Sequence, residues 1–190
     1  MKQTTMLSAS LGLALAGLVN AAEFIDVVGK GTVAVLNGTD IDKLTLADRI
    51  GCLNANGALT LDDCAVFTIY EPEEYDGLLR LMTTEAGNCT FQDETQPTNV
   101  DSIYGKGDHA WSCDGEHPQA DIYDGVYTLN GLKMPFVCNG DINCFYDVKK
   151  APKNKTDAIP VWQFRWGSQQ RGITPGHLQV AWLWQPVKST

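Results

Sequence analysis

Six cysteines constrain the fold of this 190-residue chain more than any other sequence feature. They are Cys52, Cys64, Cys89, Cys113, Cys138 and Cys144. An even number of cysteines in an exported chain predicts three disulfides, because oxidising compartments preserve such bridges and each bridge reduces the entropy of the unfolded chain. Many pairings are possible, and spacing favours only one of them: Cys138 with Cys144, across the turn-forming run Asn139-Gly140-Asp141.

The N-terminus has the layout of a secretory signal. Lys2 is the only charge before Glu23, and the apolar run 6–19 leads to small residues suited to a signal peptidase. The run is shorter than the roughly 20 apolar residues that a membrane-spanning helix needs. We therefore expect residues 1–21 to be a cleaved signal peptide, and residues 22–190 to form one secreted domain.

The charge of the chain excludes several classes of partner. The formal charge is −9, and it becomes −10 without Lys2. Such a surface repels nucleic acid and anionic lipid head groups. The densest basic stretch, residues 149–155, contains Pro and Asn and indicates a solvated loop. We expect no nucleic acid partner, no membrane insertion and no cofactor.

Turn-forming dipeptides recur along the chain and separate short segments rich in Val, Thr, Ile, Tyr, Phe and Trp. They are Asn37-Gly38, Asn56-Gly57, Asp76-Gly77, Asp124-Gly125, Asn130-Gly131 and Asn139-Gly140. This pattern is typical of antiparallel sheets. It predicts a mostly β, single-domain sandwich or barrel with at most one short helix, over Asp40–Ile50, which Gly51 would end.

Two hairpins can be placed from the pattern. The segments 65–70 and 78–83 flank the acidic run 71–77, which predicts a hairpin with a long tip. The segments 123–129 and 132–137 flank Asn130-Gly131, and this predicts a tight hairpin with a type I′ turn.

The C-terminal third has the most distinctive pattern. Trp162, Phe164 and Trp166 alternate along one segment, and Val180, Trp182 and Trp184 alternate along a second. Paired as a hairpin, the two segments would carry a wall of four tryptophans. Such a wall is either a platform for sugar rings or for a partner's surface, or simply the core of a β domain. In the first case Arg165 and Arg171 would lie at its rim.

Other candidate chemistry has less support. His109, Cys113 and His117 are spaced by four, but Gly115 and Pro118 disfavour a helix there, and we predict no metal site. A secreted ribonuclease would need an acid/base pair such as His109 and His177, with Arg165 or Arg171 on the phosphate. Three Asn-x-Thr sequons, at Asn37, Asn88 and Asn154, are candidate glycosylation sites.

The signal, the six cysteines and the short strands resemble those of the small secreted cysteine-rich proteins of filamentous fungi, many of which act as effectors or elicitors on a host. Within that group, Asp108-His109-Ala110-Trp111-Ser112-Cys113 with Glu116 is similar to a segment of the Alt a 1 family of secreted β-barrel proteins. The strand Leu178 to Trp184 before Pro186-Val187-Lys188-Ser189 resembles that family's end. The other cysteine spacings and the tryptophan-rich segments depart from the family, so no functional residue is transferred.

Three functions remain open at this point. The first is a non-enzymatic secreted protein that binds a host or competitor protein, or a cell-wall polysaccharide, with an effector or virulence role if the source is a pathogen. The second is a carbohydrate or cell-wall binding module that uses the tryptophan hairpin. The third is a small secreted hydrolase such as a ribonuclease. The sequence does not determine the oligomeric state.

Overall fold

The computed structural model describes residues 27–73, 79–115, 122–140 and 144–187, so the expected signal segment 1–21 lies outside the described residues. Within these ranges the chain is mostly β and forms one antiparallel sheet, as predicted. The strands are β1 (Gly29–Asn37), β2 (Arg49–Leu53), β3 (Leu59–Thr60), β4 (Phe67–Tyr70), β5 (Leu81–Thr84), β6 (Gly87–Thr90), β7 (Ser112–Asp114), β8 (Val126–Tyr127), β9 (Phe136–Asn139), β10 (Phe145–Val148), β11 (Val161–Gln163) and β12 (Leu178–Pro186).

The two longest strands, β1 and β12, pair with each other at the centre of the sheet, from Gly31 opposite Pro186 to Asn37 opposite Val180. The other edge of β1 is shared by β4 and β2. The other edge of β12 is shared in the same way by β10 and β9. The sheet therefore divides into branches on both sides of this central pair.

The sheet closes on itself. Leu59, in β3, and Ile159, two residues before β11, exchange both backbone hydrogen bonds at 2.9 Å. The strand order β1, β12, β10, β11 thus continues through this bridge to β3 and β2, and returns to β1. The backbone N–H of Trp111 also donates to the carbonyl of Val161 at 2.8 Å. Of the two predicted architectures, the structure is a barrel.

Hydrophobic side chains cover both faces of the central pair. On the inner face, Val35 lies opposite Trp182, and both belong to the main core. The ring of Trp182 stacks on that of Tyr146 with a centroid separation of 3.6 Å. On the outer face, Leu36 lies opposite Ala181 in a smaller second core. Burial on both faces explains why these strands have continuous apolar runs rather than strict alternation.

All six cysteines form disulfides: Cys52–Cys64, Cys89–Cys113 and Cys138–Cys144. The predicted local bridge, Cys138–Cys144, is confirmed. Cys89 and Cys113 are direct partners in the β6–β7 register, so that bridge joins two neighbouring strands.

The helix predicted over Asp40–Ile50 is reduced to a single 3-10 turn, Leu46–Asp48. Thr45 caps this turn through a capping box with Asp48. Gly51 does not end a helix, because it lies in β2, where a side chain would collide with the backbone of Thr60. Across the described ranges, no helix is long and apolar enough to span a bilayer.

Both predicted hairpins pair as expected, but one turn was wrong. β4 pairs with β5, and part of the acidic tip between them, residues 74–78, lies outside the described residues. β8 pairs with β9, with Tyr127 opposite Cys138, so the connection is much longer than a two-residue turn. The reason is packing: Leu132 and Met134 are drawn into the second core.

Candidate functional site

The predicted tryptophan hairpin does not exist. β10 lies between β11 and β12 and pairs with both of them. β11 also ends at Gln163, so Phe164 and Trp166 do not continue it. Alternation along each segment was a local signal, whereas the insertion of β10 between them is a long-range arrangement.

The four tryptophans have three different environments. Trp182 and Trp184 are buried in the main core, as the alternative interpretation had it. Trp162 is also buried, and its indole N–H donates to a backbone carbonyl at 2.8 Å. Trp166 is 60% exposed. These residues therefore form no continuous aromatic wall.

His177 is part of an ionic network that connects the buried Asp147 to the exposed Asp101 and Lys149. Its Nδ1 lies 2.6 Å from Asp147 and its Nε2 lies 3.3 Å from Asp101, which in turn pairs with Lys149 at 2.7 Å. Each ring nitrogen therefore faces a carboxylate. Hydrogen bonds from Lys149 and then from His177 lower the pKa of Asp101. The network joins β10 to two loops, and the ring of Trp162 lies against it.

His109 lies in a different place and lines a cleft. The predicted ribonuclease pair is therefore not assembled, because His177 is not among the residues that line this cleft and both of its ring nitrogens are engaged. The sequence did not show that the two histidines lie apart, because both are followed by an apolar residue and neither belongs to a catalytic motif.

The cleft has a volume of about 870 Å³, within the range of small-molecule sites. Most of its lining comes from four segments: residues 91–94 after β6, residues 107–109, residues 123–127 around the start of β8, and residues 163–165 at the end of β11. Residues far apart in sequence thus meet here because the barrel brings the ends of these strands together.

A chain of hydrogen bonds runs along the cleft. Asn139 donates to two carbonyls of the 123–125 turn, at 3.1 and 3.0 Å. Its own amide oxygen accepts from Gln163, whose oxygen accepts from the Arg165 guanidinium. Arg165 also donates through Nε to Asp108 at 2.6 Å. Each side chain fixes the next, so the polar groups of the cleft are held in place before any ligand arrives.

Within the described residues, two hydrogen bonds leave several N–H donors of Arg165 without a partner. Nε and one N–H of Nη2 are engaged, whereas a guanidinium carries five N–H groups. The side chain is 46% exposed and lines the cleft. Its remaining N–H groups are therefore accessible to a ligand oxygen.

The tautomer of His109 follows from its one hydrogen bond. Nδ1 lies 3.0 Å from the backbone carbonyl of Gln96. Because a carbonyl only accepts, Nδ1 carries the proton in the neutral ring, and Nε2 presents a lone pair. Within the part of the chain that the structure describes, Nε2 has no hydrogen-bond partner.

Two buried carboxylates shape the cleft wall. Asp124 accepts from the hydroxyl of Thr90 at 2.8 Å and from the backbone N–H of Phe91 at 3.1 Å, and so fastens the turn before β8 to the end of β6. Asp93 accepts from Ser112 and from the side chain and backbone of Thr95. Both acids are fully engaged in structure, and neither is a candidate for chemistry.

Further aromatic and charged groups complete the lining. Tyr123 is 72% exposed, whereas Phe91 is buried in the main core. Glu94 is exposed, and Arg80 pairs with Glu71 at 3.0 Å. The cleft thus combines an accessible ring with closely spaced donors and acceptors.

Trp166 and Arg171 are not among the residues that line the cleft and belong to the loop between β11 and β12. There the hydroxyl of Tyr104 meets Ser168 at 3.1 Å and accepts from a backbone N–H at 3.0 Å, and these bonds lower the pKa of Tyr104. The side-chain oxygen of Gln170 accepts from the backbone of Ile103, which holds the two loops together. Of the candidate site residues predicted from the sequence, Arg165 and His109 therefore line the cleft.

The three sequons differ in accessibility. Asn37 and Asn154 are exposed, whereas Asn88 is half-buried in β6 beside the bridged Cys89. Glycosylation at each of them stays a prediction. Among the residues that the structure describes, no group of three His, Cys, Asp or Glu side chains is arranged to hold a metal ion.

The sequence missed Asn139, Gln163 and Asp108, which orient Arg165. Asp108 is 57 residues from Arg165 along the chain, and no local pattern links them. The sequence signal for Arg165 itself was only that a cationic residue lies between aromatic residues.

Together, fold and site define a disulfide-stabilised β-barrel protein with a preformed polar cleft. Comparisons of the chain with protein-family models, with curated proteins and with solved structures gave no match in any of the three cases. The resemblance to the Alt a 1 family stays a prediction.

Proposed function

We propose that this chain is an exported protein that acts by binding, and that the cleft is its binding site. The observation that carries the proposal is the hydrogen-bonded chain from Asn139 through Gln163 and Arg165 to Asp108. A site whose polar groups are already fixed loses little conformational entropy when a ligand binds.

The ligand class that best suits the cleft is a carbohydrate, such as a segment of a cell-wall polysaccharide. Sugars present many hydroxyls that both donate and accept, and their apolar faces stack on aromatic rings. The spare N–H groups of Arg165, the lone pair of His109 and the exposed ring of Tyr123 offer those three kinds of contact. The proposed sugar-binding surface is therefore the cleft, and not the tryptophan hairpin that the sequence predicted.

An extracellular setting fits the three disulfides and the N-terminal signal pattern. On this proposal the protein acts on the surface of a host or a competitor, with an effector-type role if its source is a pathogen. The first check is the mature protein in culture medium, whose mass corresponds to a start at residue 22.

The cleft is tested by titrating the purified protein calorimetrically with neutral cello-, xylo-, chito- and manno-oligosaccharides. We expect at least one series to bind, and Arg165→Ala to weaken that binding about tenfold or more, because a charged donor is lost and the oriented network is broken. Arg171→Ala is the matched control, since it removes an exposed arginine outside the cleft, and binding to that variant should equal wild type.

Two results contradict the proposal. One is an absence of binding to every series, or equal loss in the Arg165 and Arg171 variants. The other is the appearance of shorter sugars, or of cleaved RNA, after long incubation with the wild-type protein, which would make the cleft an active site instead.

A further inference from the structure

The corner of the cleft formed by Arg165 and His109 combines a fixed donor with a fixed acceptor. Both residues line the cleft, and Arg165 bonds to Asp108, the residue immediately before His109. The orientation of Arg165 is set by Asp108 and Gln163, and that of His109 is set by the carbonyl of Gln96.

We propose that this corner is a subsite for an uncharged sugar, and the proposal rests on the carbohydrate-binding function above. One sugar hydroxyl donates to Nε2 of His109, and an oxygen on a neighbouring carbon accepts from the free N–H groups of Arg165. A vicinal diol has both functions at adjacent carbons, which is why a sugar ring suits this pair.

The charges around the corner favour a neutral ligand over an anionic one. Asp108 lies 2.6 Å from Arg165 and compensates its charge. Glu94 lines the same cleft and is exposed, while the other cation in the lining, Arg80, is paired with Glu71. The lone pair on Nε2 of His109 also repels a carboxylate or phosphate oxygen. Among the described residues that line the cleft, a uronic acid or a phosphate would therefore meet no uncompensated cation.

Protonation of His109 reverses the role of Nε2. The protonated ring donates from both nitrogens, so it no longer accepts from a sugar hydroxyl. Binding of a neutral sugar must then weaken as the pH falls, whereas binding of an acidic sugar must strengthen. The sign of the pH dependence thus identifies the ligand class.

The test is calorimetric titration at about pH 7.5 and about pH 5. The probes are neutral cello-, xylo- and chito-oligosaccharides, with oligogalacturonide as the acidic arm. At least one neutral probe should bind the wild-type protein. We expect its affinity to be about three- to tenfold lower at the lower pH, which corresponds to the loss of one hydrogen bond.

Two variants separate the acceptor from the shape of the ring. His109→Gln keeps an acceptor at both pH values, so it should retain most of the binding and lose the pH dependence. His109→Phe removes the acceptor, so at the higher pH it should bind about three- to tenfold more weakly than wild type and show no pH dependence. Near-ultraviolet circular dichroism establishes that both variants are folded.

The possible failures are distinguishable. If Arg165→Ala abolishes binding while His109→Phe changes nothing, the subsite is wrong and the binding function stands. Tighter binding of oligogalacturonide, increasing at the lower pH, overturns the neutral subsite in favour of an anion site. If no oligosaccharide binds, the proposed function and this subsite fail together.

Discussion

Removing the Cys89–Cys113 bridge should destabilise the protein more than removing Cys138–Cys144. The two bridges span 24 and 6 positions of the chain. Loop-closure entropy then gives about 3.5 kcal/mol for the long loop and about 2.4 kcal/mol for the short one at 25 °C, a difference of about 1 kcal/mol. All four cysteines are buried, so the packing losses in the two alanine pairs are similar and the difference reports loop length.

The assay is urea unfolding of the Cys89→Ala/Cys113→Ala and Cys138→Ala/Cys144→Ala variants, each with its other two bridges intact. The free energy of unfolding should fall by about 1 kcal/mol more in the Cys89→Ala/Cys113→Ala variant than in the Cys138→Ala/Cys144→Ala variant. A loss from the Cys138–Cys144 pair equal to or larger than that from the Cys89–Cys113 pair would refute the chain-entropy reasoning.

Three further predictions concern the core and pH. Trp182→Ala should lower the free energy of urea unfolding by about 3–5 kcal/mol, because this ring is fully buried. Trp166→Ala should change it by less than about 0.5 kcal/mol, because this ring is largely exposed. Equal effects of the two substitutions would contradict the assignment of core and surface. Burial raises the pKa of Tyr146 well above 10.0. Tyr146 therefore ionises first in the unfolded chain, and stability is lost as the pH rises beyond about 10. In thermal melts, Tyr146→Phe should reduce the fall in melting temperature at alkaline pH. Lys149 lowers the pKa of Asp101 below 3.8. The contribution of Asp101 to stability is therefore present above that pH and is lost as the pH falls. Asp101→Asn should make the melting temperature fall less steeply at acid pH, and an unchanged pH dependence would refute the role of this pair.

Local patterns predicted the elements well because strands are specified locally. Turn dipeptides and β-branched or aromatic runs gave the β class and the β4–β5 pairing, and a short turn gave the Cys138–Cys144 bridge. The same local signals gave wrong predictions where contacts between distant segments determine the structure. Leu132 and Met134 belong to the second core and not to a tight hairpin, and the helix predicted over Asp40–Ile50 gave way to a capped 3-10 turn before β2.

The site could not be predicted because it is made of long-range contacts. The placement of β10 between β11 and β12 buries Trp182 and breaks up the expected hairpin. Arg165 and Asp108 meet only after the barrel closes. Arg165 was identified from the sequence, but its partners were not, and they give it a fixed geometry.

The most direct test of the central claim, that the polar cleft is a carbohydrate-binding site, is a nuclear magnetic resonance titration of the ¹⁵N-labelled protein with the oligosaccharide series. Binding in the cleft should shift the backbone amides of residues 91–94, 107–109 and 123–127, together with the side-chain signals of Arg165. The amides of β1 should not move. Shifts confined to residues outside the cleft lining, or none with any sugar, would contradict the account.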